Sequence, residues 1–167
     1  MNQDYYQDGL ARVLDLMKDT FGFDGPIRGY FNGEPEDIPL SMLPAIIVTE
    51  TDGTIETDAT QTDLITENIL IIVAMNRMDD VGGSADTDLT DFKIRKLVKG
   101  QDPTTREYLP QTIMYAIRKH ITMGSEILYS SVRTKFNVTE LRGAETVTQE
   151  GYVELMVKRR VQVPQRD

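Results

Sequence analysis

One stretch of the sequence, Thr62–Met75, constrains the fold more than any other. Up to Asn68 it mixes polar and apolar residues, and from Ile69 onwards every residue is apolar. This apolar run is far too short to cross a bilayer, which takes ~20 residues of helix. The pattern is typical of a strand that enters the protein from solvent and becomes buried on both faces. We therefore expect a β-sheet at the centre of the fold and no membrane span.

Apolar residues at helical spacing predict three helices. The segments are residues 4–20, residues 87–98 and residues 104–121, the last being one kinked helix or a turn followed by a helix. The third segment opens with the capping-box pattern Thr104-x-x-Glu107, and Pro110 is a common first residue of a helix. The first helix should bury one apolar stripe. That stripe consists of Tyr6, Leu10, Val13, Leu14 and Met17.

Four further segments are predicted strands. Ile27–Phe31 is short, and Leu43–Val48 is a β-branched run in which Pro44 is tolerated at the strand start. Apolar and polar residues alternate over residues 128–138 and again over residues 153–163. A Gly-containing turn separates these last two segments, so we expect them to pair antiparallel with one face on the core.

The predicted elements follow one another in the order α-β-β-β-α-α-β-β, and 167 residues are about the size of one ordinary domain. Asp52-Gly53 is a turn signal that leads into a Thr/Asp-rich region. We predict an α+β fold, in which a largely antiparallel or mixed sheet carries the N-terminal helix and the two central helices on one face. Residues 1–167 are expected to form a single domain.

Acidic residues outnumber basic ones by 27 to 18, which gives a net charge of −9. Residues 1–100 hold 19 acidic and 8 basic residues, a net charge of −11, whereas residues 101–167 hold 8 and 10, a net charge of +2. A net-acidic surface repels phosphate, which argues against nucleic-acid binding driven by counterion release. The uneven split suits a contact between the acidic part of one copy and the basic part of another.

The chain contains no Cys, so it holds neither a disulfide nor a thiolate metal site. Its first residues, Met1–Asp4, are polar and acidic and lack the basic and apolar regions of a signal peptide. We expect the protein to stay in the cytosol or in an assembly that is made there.

No group of residues looks like a catalytic centre. The single His120 lies beside Arg118 and Lys119 near the end of the third predicted helix, where a positive charge suits the helix dipole. It has no Cys and no Gly-x-Ser-x-Gly nucleophile to activate. Gly82-Gly83-Ser84 has the composition of a phosphate cradle but lacks the Gly-Lys-Ser/Thr ending. We predict no enzymatic activity and no cofactor.

Five aspartates close together in the sequence raise the question of a Ca²⁺ site, because hard cations bind several carboxylates. Their spacing does not match an EF-hand loop, which needs a Gly and a Glu at fixed positions. A solvated loop that leads into a capped helix accounts for them more simply, so we predict no metal site. The five are Asp79, Asp80, Asp86, Asp88 and Asp91.

Two segments are candidate protein-contact surfaces. The loop Arg77–Asp86 contains Gly and Asp and few apolar residues, so few buried contacts would hold it without a partner. In the basic run Lys158-Arg159-Arg160, strand alternation places the first and third side chains on one face and Arg159 toward the apolar side. A solvated strand edge would also account for this run. The candidate interface residues are Arg77, Asp79, Asp80, Gly82, Gly83, Asp86, Lys158 and Arg160.

The sequence resembles the tail terminator, or tail-tube completion, proteins of long-tailed bacteriophages. The resemblance rests on a first helix followed by the passage Tyr30–Pro39, a polar loop with Pro, that leads into Leu43-Pro44-Ala45-Ile46-Ile47-Val48. A long second strand, two central helices and a closing hairpin complete it. It covers most of the chain, and its motifs are diffuse and carry no chemical signature.

The resemblance implies a homo-oligomeric, hexameric ring on the head-proximal end of the tail tube of the virion. Such a ring stops tube polymerisation, contacts the tail tube protein and offers a docking surface to the neck or head-completion protein. Genome DNA passes through it without specific binding, and an acidic lumen suits that passage. No catalytic residues are carried over from the family.

Two other classes of function stay open. One is a different neck or head-completion component of a phage. The other is a small ligand- or metal-binding regulatory domain, for which the acidic segment 79–91 would be the site. A ring gives a multi-subunit particle, whereas a ligand-binding domain gives a monomer or dimer whose melting temperature shifts with ligand.

Overall fold

The computed structural model describes residues 9–59, 61–77, 89–120 and 128–165. The elements follow the predicted order, which confirms the α+β class. In chain order they are α1 (Gly9–Phe21), β1 (Gly29–Asn32), a 3₁₀ turn (Leu40–Met42), β2 (Ala45–Ala59), β3 (Thr62–Asn76), α2 (Leu89–Lys99), α3 (Ile113–Lys119), β4 (Leu128–Leu141) and β5 (Val147–Gln162). No helix in the described ranges is long and apolar enough to cross a membrane.

The five strands form one mixed sheet in the order β1-β2-β3-β5-β4. β1 runs parallel to β2, and every other neighbouring pair is antiparallel. β3 lies in the middle, and its residues from Ile71 to Met75 are all buried, whereas Thr62–Thr66 are only partly buried. The prediction of a strand that passes from solvent into the interior is therefore confirmed. β4 and β5 form the predicted closing antiparallel pair.

The three helices contribute to one apolar core on one face of the sheet, as predicted. Along α1 the buried residues at helical spacing include Leu10, Val13, Leu14 and Met17. Alternate residues of β3 and β5 face these helices, and in the core these residues are apolar. This core includes Ile46, Val48, Ile69, Ile71, Val73, Val153, Leu155, Val157, Ile94, Val98, Ile113 and Ile117.

The opposite face is covered over only part of its length by the connector between β1 and β2. Ile38 and Leu43 of this connector are buried against Ile47, Ile72 and neighbouring residues of the sheet. Ile38 comes from the loop that looks polar in sequence, and Leu43 comes from the start of the predicted strand, which begins two residues later in the structure. Together they close the second face.

The turn predicted at Asp52-Gly53 is wrong, because both residues lie inside β2. A bulge between Glu50 and Asp52 shifts the register, and the Asp52 carboxylate accepts a hydrogen bond from Asn68 Nδ2 of β3 at 2.7 Å. A Cβ on Gly53 would lie 2.7 Å from the backbone oxygen of Thr66. Glycine is used here for the close approach of two strands and not for a turn.

Of the predicted segment 104–121, residues 104–120 are described, and they form a turn followed by a short helix, α3. Thr112 is the N-cap, and its hydroxyl accepts the backbone N–H of the third helical residue at 3.2 Å. Thr104 does not start a helix: its backbone N–H donates to the carboxylate of Asp102 at 2.8 Å within a turn. Pro110 lies in the approach to α3 and is not its first residue. The capping-box prediction is therefore wrong, because the Asp102 side chain holds this segment in a turn.

Candidate protein interface

The basic run on β5 alternates between the two faces of the sheet. Arg159 lies on the helix face, where its Nε donates to Glu67 Oε1 of β3. Lys158 and Arg160 lie on the opposite face, beside Thr66 and Leu64 of β3. The sequence prediction that these two side chains share one face is confirmed.

The buried carboxylate of Glu67 is the reason that the Arg159 side chain is also largely buried. This carboxylate is 3% exposed, and its second oxygen accepts the backbone N–H of Gly9, at the start of α1, at 2.9 Å. Two donors therefore compensate the charge, as burial of a carboxylate requires. Arg159 and Glu67 thus fasten α1 to the sheet, and the role of this arginine is structural.

Arg160 has an acidic partner within its own chain. Its Nε lies 2.5 Å from Asp58 Oδ2 on β2, across the intervening strand β3. The Arg160 side chain is 66% exposed, so the pair is in contact with solvent and contributes little to stability. The pair neutralises part of the positive charge that the sequence analysis expected to contact an acidic neighbouring subunit.

The other predicted contact segment is described only at its first residue. Arg77 follows β3 directly, is exposed, and its Nη1 donates to Thr139 Oγ1 of β4 at 2.6 Å. Lys158 pairs with Thr66 on β3, so it lies about 35 Å along that strand from Arg77. The structure therefore places Arg77, the one described residue of that loop, far from the basic run. Asp79, Asp80, Gly82, Gly83 and Asp86 lie outside the described residues.

Sequence reasoning missed a third surface, the far part of the long β2–β3 hairpin. We call it the arm and define it as residues 50–59 of β2, residues 62–66 of β3 and residues 158–162 of β5. All ten β2 residues of the arm are exposed, and this part of the strand spans about 33 Å. In the described part of the chain, α1 begins at Gly9, which contacts Glu67 just before the arm. The described helices therefore leave the arm uncovered.

The arm carries an apolar and an acidic feature. Ile55 is 70% exposed and opens onto a groove of about 560 Å³ that Ile65, Val161 and Arg159 also line. Residues 49–59 contain four acidic residues and no basic one. The Thr- and Ile-containing sequence of this segment was a usable strand signal, but Asp52-Gly53 obscured it.

Both sides of the sheet end in an open strand edge. β1 pairs with β2 only at Ala45–Val48, so from Thr51 to Ala59 no strand of the described chain lies beside the outer edge of β2. On the other side β4 is the outermost strand. Its side chains Arg133 and Lys135 are exposed. Open edges present backbone N–H and C=O groups to a further strand.

The residues considered for chemistry have ordinary surroundings. His120 is the exposed C-cap residue of α3, as its position in the sequence predicted. Asp91 of the aspartate group accepts a hydrogen bond from Arg95 Nε at 2.8 Å. Within the described ranges no three His, Cys, Asp or Glu side chains are close enough to hold a metal ion. The sequence matches no family model, and no curated protein is significantly similar to it.

Proposed function

We propose that this protein is a non-enzymatic structural component of a phage tail. Copies of the chain assemble into a hexameric ring that caps the tail tube, ends its polymerisation and offers the head-docking surface. The proposal joins the sequence resemblance to the geometry of the arm. It places the protein at the head-proximal end of the tail in the virion.

The observation that carries the proposal is the arm itself. The arm extends about 33 Å with an open backbone edge and an exposed Ile55, and these groups add no stability to an isolated domain. An open edge of this kind pairs readily with a strand of another chain. No described residue of the chain covers these groups, and another protein chain can cover them. A ring of identical subunits provides that cover for every copy.

The charge distribution supports the same function. The arm is acidic on β2, and the surplus of acidic residues over the first 100 residues repels phosphate. A ring with an acidic lumen lets DNA pass without holding it. The exposed basic side chains of β4, at the edge of the sheet, supply the opposite charge for contact with an acidic neighbour.

One other function has an observation in its favour, that of a ligand-binding regulatory domain. An apolar groove of about 770 Å³ lies between α2 and the segment before α3. Met75, Leu97 and Leu109 line it, with Lys93 and Lys96 alongside, which suits an anionic ligand with an apolar body. On this reading the protein is a monomer or dimer that such a ligand stabilises.

The size of the purified protein in solution decides between the two. Light scattering and negative-stain images should show rings of one defined size. Because part of the contact is electrostatic, the rings should weaken as added salt reduces the screening length below about 8 Å. A monomer at every concentration, with a melting temperature that rises with an anionic apolar ligand, would contradict the ring and favour the regulatory domain.

A further inference from the structure

We propose that neighbouring subunits join edge to edge, with β2 of one copy pairing antiparallel with β4 of the next. The sheet then continues from subunit to subunit. This inference rests on the proposed ring and names the contact that builds it.

The two edges offer regular strand over comparable lengths. Between its bulges β2 keeps an unbroken register from Asp52 to Thr57, beyond the point where β1 ends. Between its own bulges β4 is regular from Val132 to Lys135. Bulges interrupt edge pairing, so these two stretches are the parts of each edge suited to a new strand.

Strand direction makes the pairing possible without turning a subunit over. The neighbouring strands from β2 through β3 and β5 to β4 are antiparallel at each step, so β2 and β4 run in opposite directions. A second copy in the same orientation therefore presents its β4 antiparallel to β2 of the first, with the helices of both on the same side. Such a contact is head-to-tail, and it closes into a ring when the rotation per subunit allows.

Charges on the face opposite the helices complement each other across this junction. Asp52 and Glu56 of β2 lie on that face, as the pairing of their strand positions with Asn68 and Leu64 shows. Arg133 and Lys135 of β4 lie on it too, opposite Glu154 and Tyr152 of β5. An antiparallel register that sets Asp52 opposite Lys135 leaves Arg133 diagonal to both acids. Opposite charges at such cross-strand positions stabilise a sheet. In this register β4 beyond Lys135 runs toward β1, so the bulge between Lys135 and Val138 must bend the strand away from Ala45–Val48.

The helix face agrees with the same register. Counting from Asp52 opposite Lys135, the exposed Ile55 comes opposite Val132 of the neighbour. Val132 is only partly buried within its own chain, so it keeps surface for an apolar contact. Lys158 and Arg160 share the charged face, but Lys158 lies on β5 behind the first residue of β4, and Arg160, beyond the last described β4–β5 pair, already contacts Asp58 of its own chain. We therefore assign the contact to the basic residues of β4.

Disulfide cross-linking tests the register directly, because the chain has no Cys of its own. Thr54→Cys combined with Arg133→Cys should form inter-subunit disulfides under mild oxidation and give a ladder of multimers on denaturing gels. Thr54→Cys combined with Thr134→Cys is the matched control and should not cross-link, because Thr134 lies on the helix face, opposite Val153. Dimers from Thr54→Cys alone would show β2–β2 pairing and overturn the proposal.

Charge exchange tests the partners. Asp52→Lys with Glu56→Lys makes both edges basic, and Arg133→Glu with Lys135→Glu makes both edges acidic. Each double variant alone should stay monomeric by light scattering, and an equimolar mixture should assemble with the two variants alternating. Lys158→Glu with Arg160→Glu changes the net charge by as much as Arg133→Glu with Lys135→Glu does, but on β5, and this variant should assemble much as the unmodified protein does.

The outcomes separate this inference from the ring itself. If the unmodified protein is monomeric, the proposed ring is wrong and the edge contact falls with it. If it forms rings while the Thr54–Arg133 pair fails to cross-link and both edge variants still assemble alone, the ring stands and this contact is wrong. If only the β5 variant prevents assembly, the charged interface lies on β5 and the assignment to β4 is overturned.

Discussion

Arg142 donates two hydrogen bonds to the carboxylate of Glu150, from Nε at 2.8 Å and from Nη2 at 2.6 Å. The Glu150 side chain is fully buried, and Thr148 Oγ1 donates to the same carboxylate at 2.6 Å. Hydrogen bonding to Glu150 raises the pKa of Arg142 further above its already high ordinary value. The backbone oxygen of Arg142 also accepts the N–H of Ile38 at 2.8 Å, so the pair anchors the connector that covers the second face of the sheet.

Removal of Glu150 should destabilise the fold strongly. Glu150→Gln leaves the largely buried Arg142 guanidinium with only the exposed carboxylate of Glu34, at 3.6 Å, as an acidic partner. Breaking a buried pair in this way costs about 3–5 kcal/mol. The free energy of unfolding from urea titration measures this cost. Arg160→Met, which removes the solvent-exposed pair with Asp58, is the control and should change stability by less than about 0.5 kcal/mol. A similar small loss for Glu150→Gln would contradict the reading.

Gly9→Ala should destabilise the protein, although the same change usually stabilises a helix interior by about 0.5–1 kcal/mol. A Cβ at Gly9 would lie 2.8 Å from Glu67 Oε2, inside the contact that fastens α1 to β3. The melting temperature should therefore fall. In a Glu67→Ala background the same substitution meets no carboxylate, and its penalty should disappear. An equal penalty in both backgrounds would contradict a role for Glu67 and would point to the other close contact of this Cβ, with Val157 Cγ1 at 3.3 Å.

Stability should decline in alkaline solution partly through Tyr152. Burial, and secondarily the charge of Glu150, raise the pKa of Tyr152 to about 12. The folded protein then holds this proton more tightly than the unfolded chain does, whose tyrosine pKa is about 10. The contribution is therefore fully present below pH ~10 and is lost as the pH rises toward ~12. Urea titrations at several pH values should show this decline, and Tyr152→Phe should make it shallower. An unchanged slope in that variant would rule out a role for Tyr152.

Two threonines give opposite predictions for the segment before α3. Thr112→Ala removes the N-cap hydroxyl and should lower the free energy of unfolding by about 1 kcal/mol. Thr104→Ala should change it very little, because the side chain is exposed and Asp102 holds the turn through backbone N–H groups. Chemical denaturation of both variants measures the difference. A larger loss at Thr104 would restore the capping-box interpretation.

Local pattern determined much of the fold. The change from mixed to apolar residues in Thr62–Met75 predicted a strand that becomes buried. This could be read from the sequence because the polarity of each residue reflects whether that position is in contact with water. The stripe along α1 and the alternation in the last two strands likewise report which face of an element is buried. The alternation also predicted correctly that Lys158 and Arg160 share a face. These features follow from the residues of one element alone.

Only the tertiary structure decided the features that depend on a partner from elsewhere in the chain. Asp52-Gly53 lies in a strand because β3 pairs with it, and no local signal reports that pairing. The same is true of the burial of Glu67, which Gly9 and Arg159 compensate from distant positions. Arg133 and Lys135 are basic residues of the sheet edge because the strand order places β4 outside β5. Strand order and ion-pair partners arise from long-range contacts, which the periodicity of a single segment does not encode.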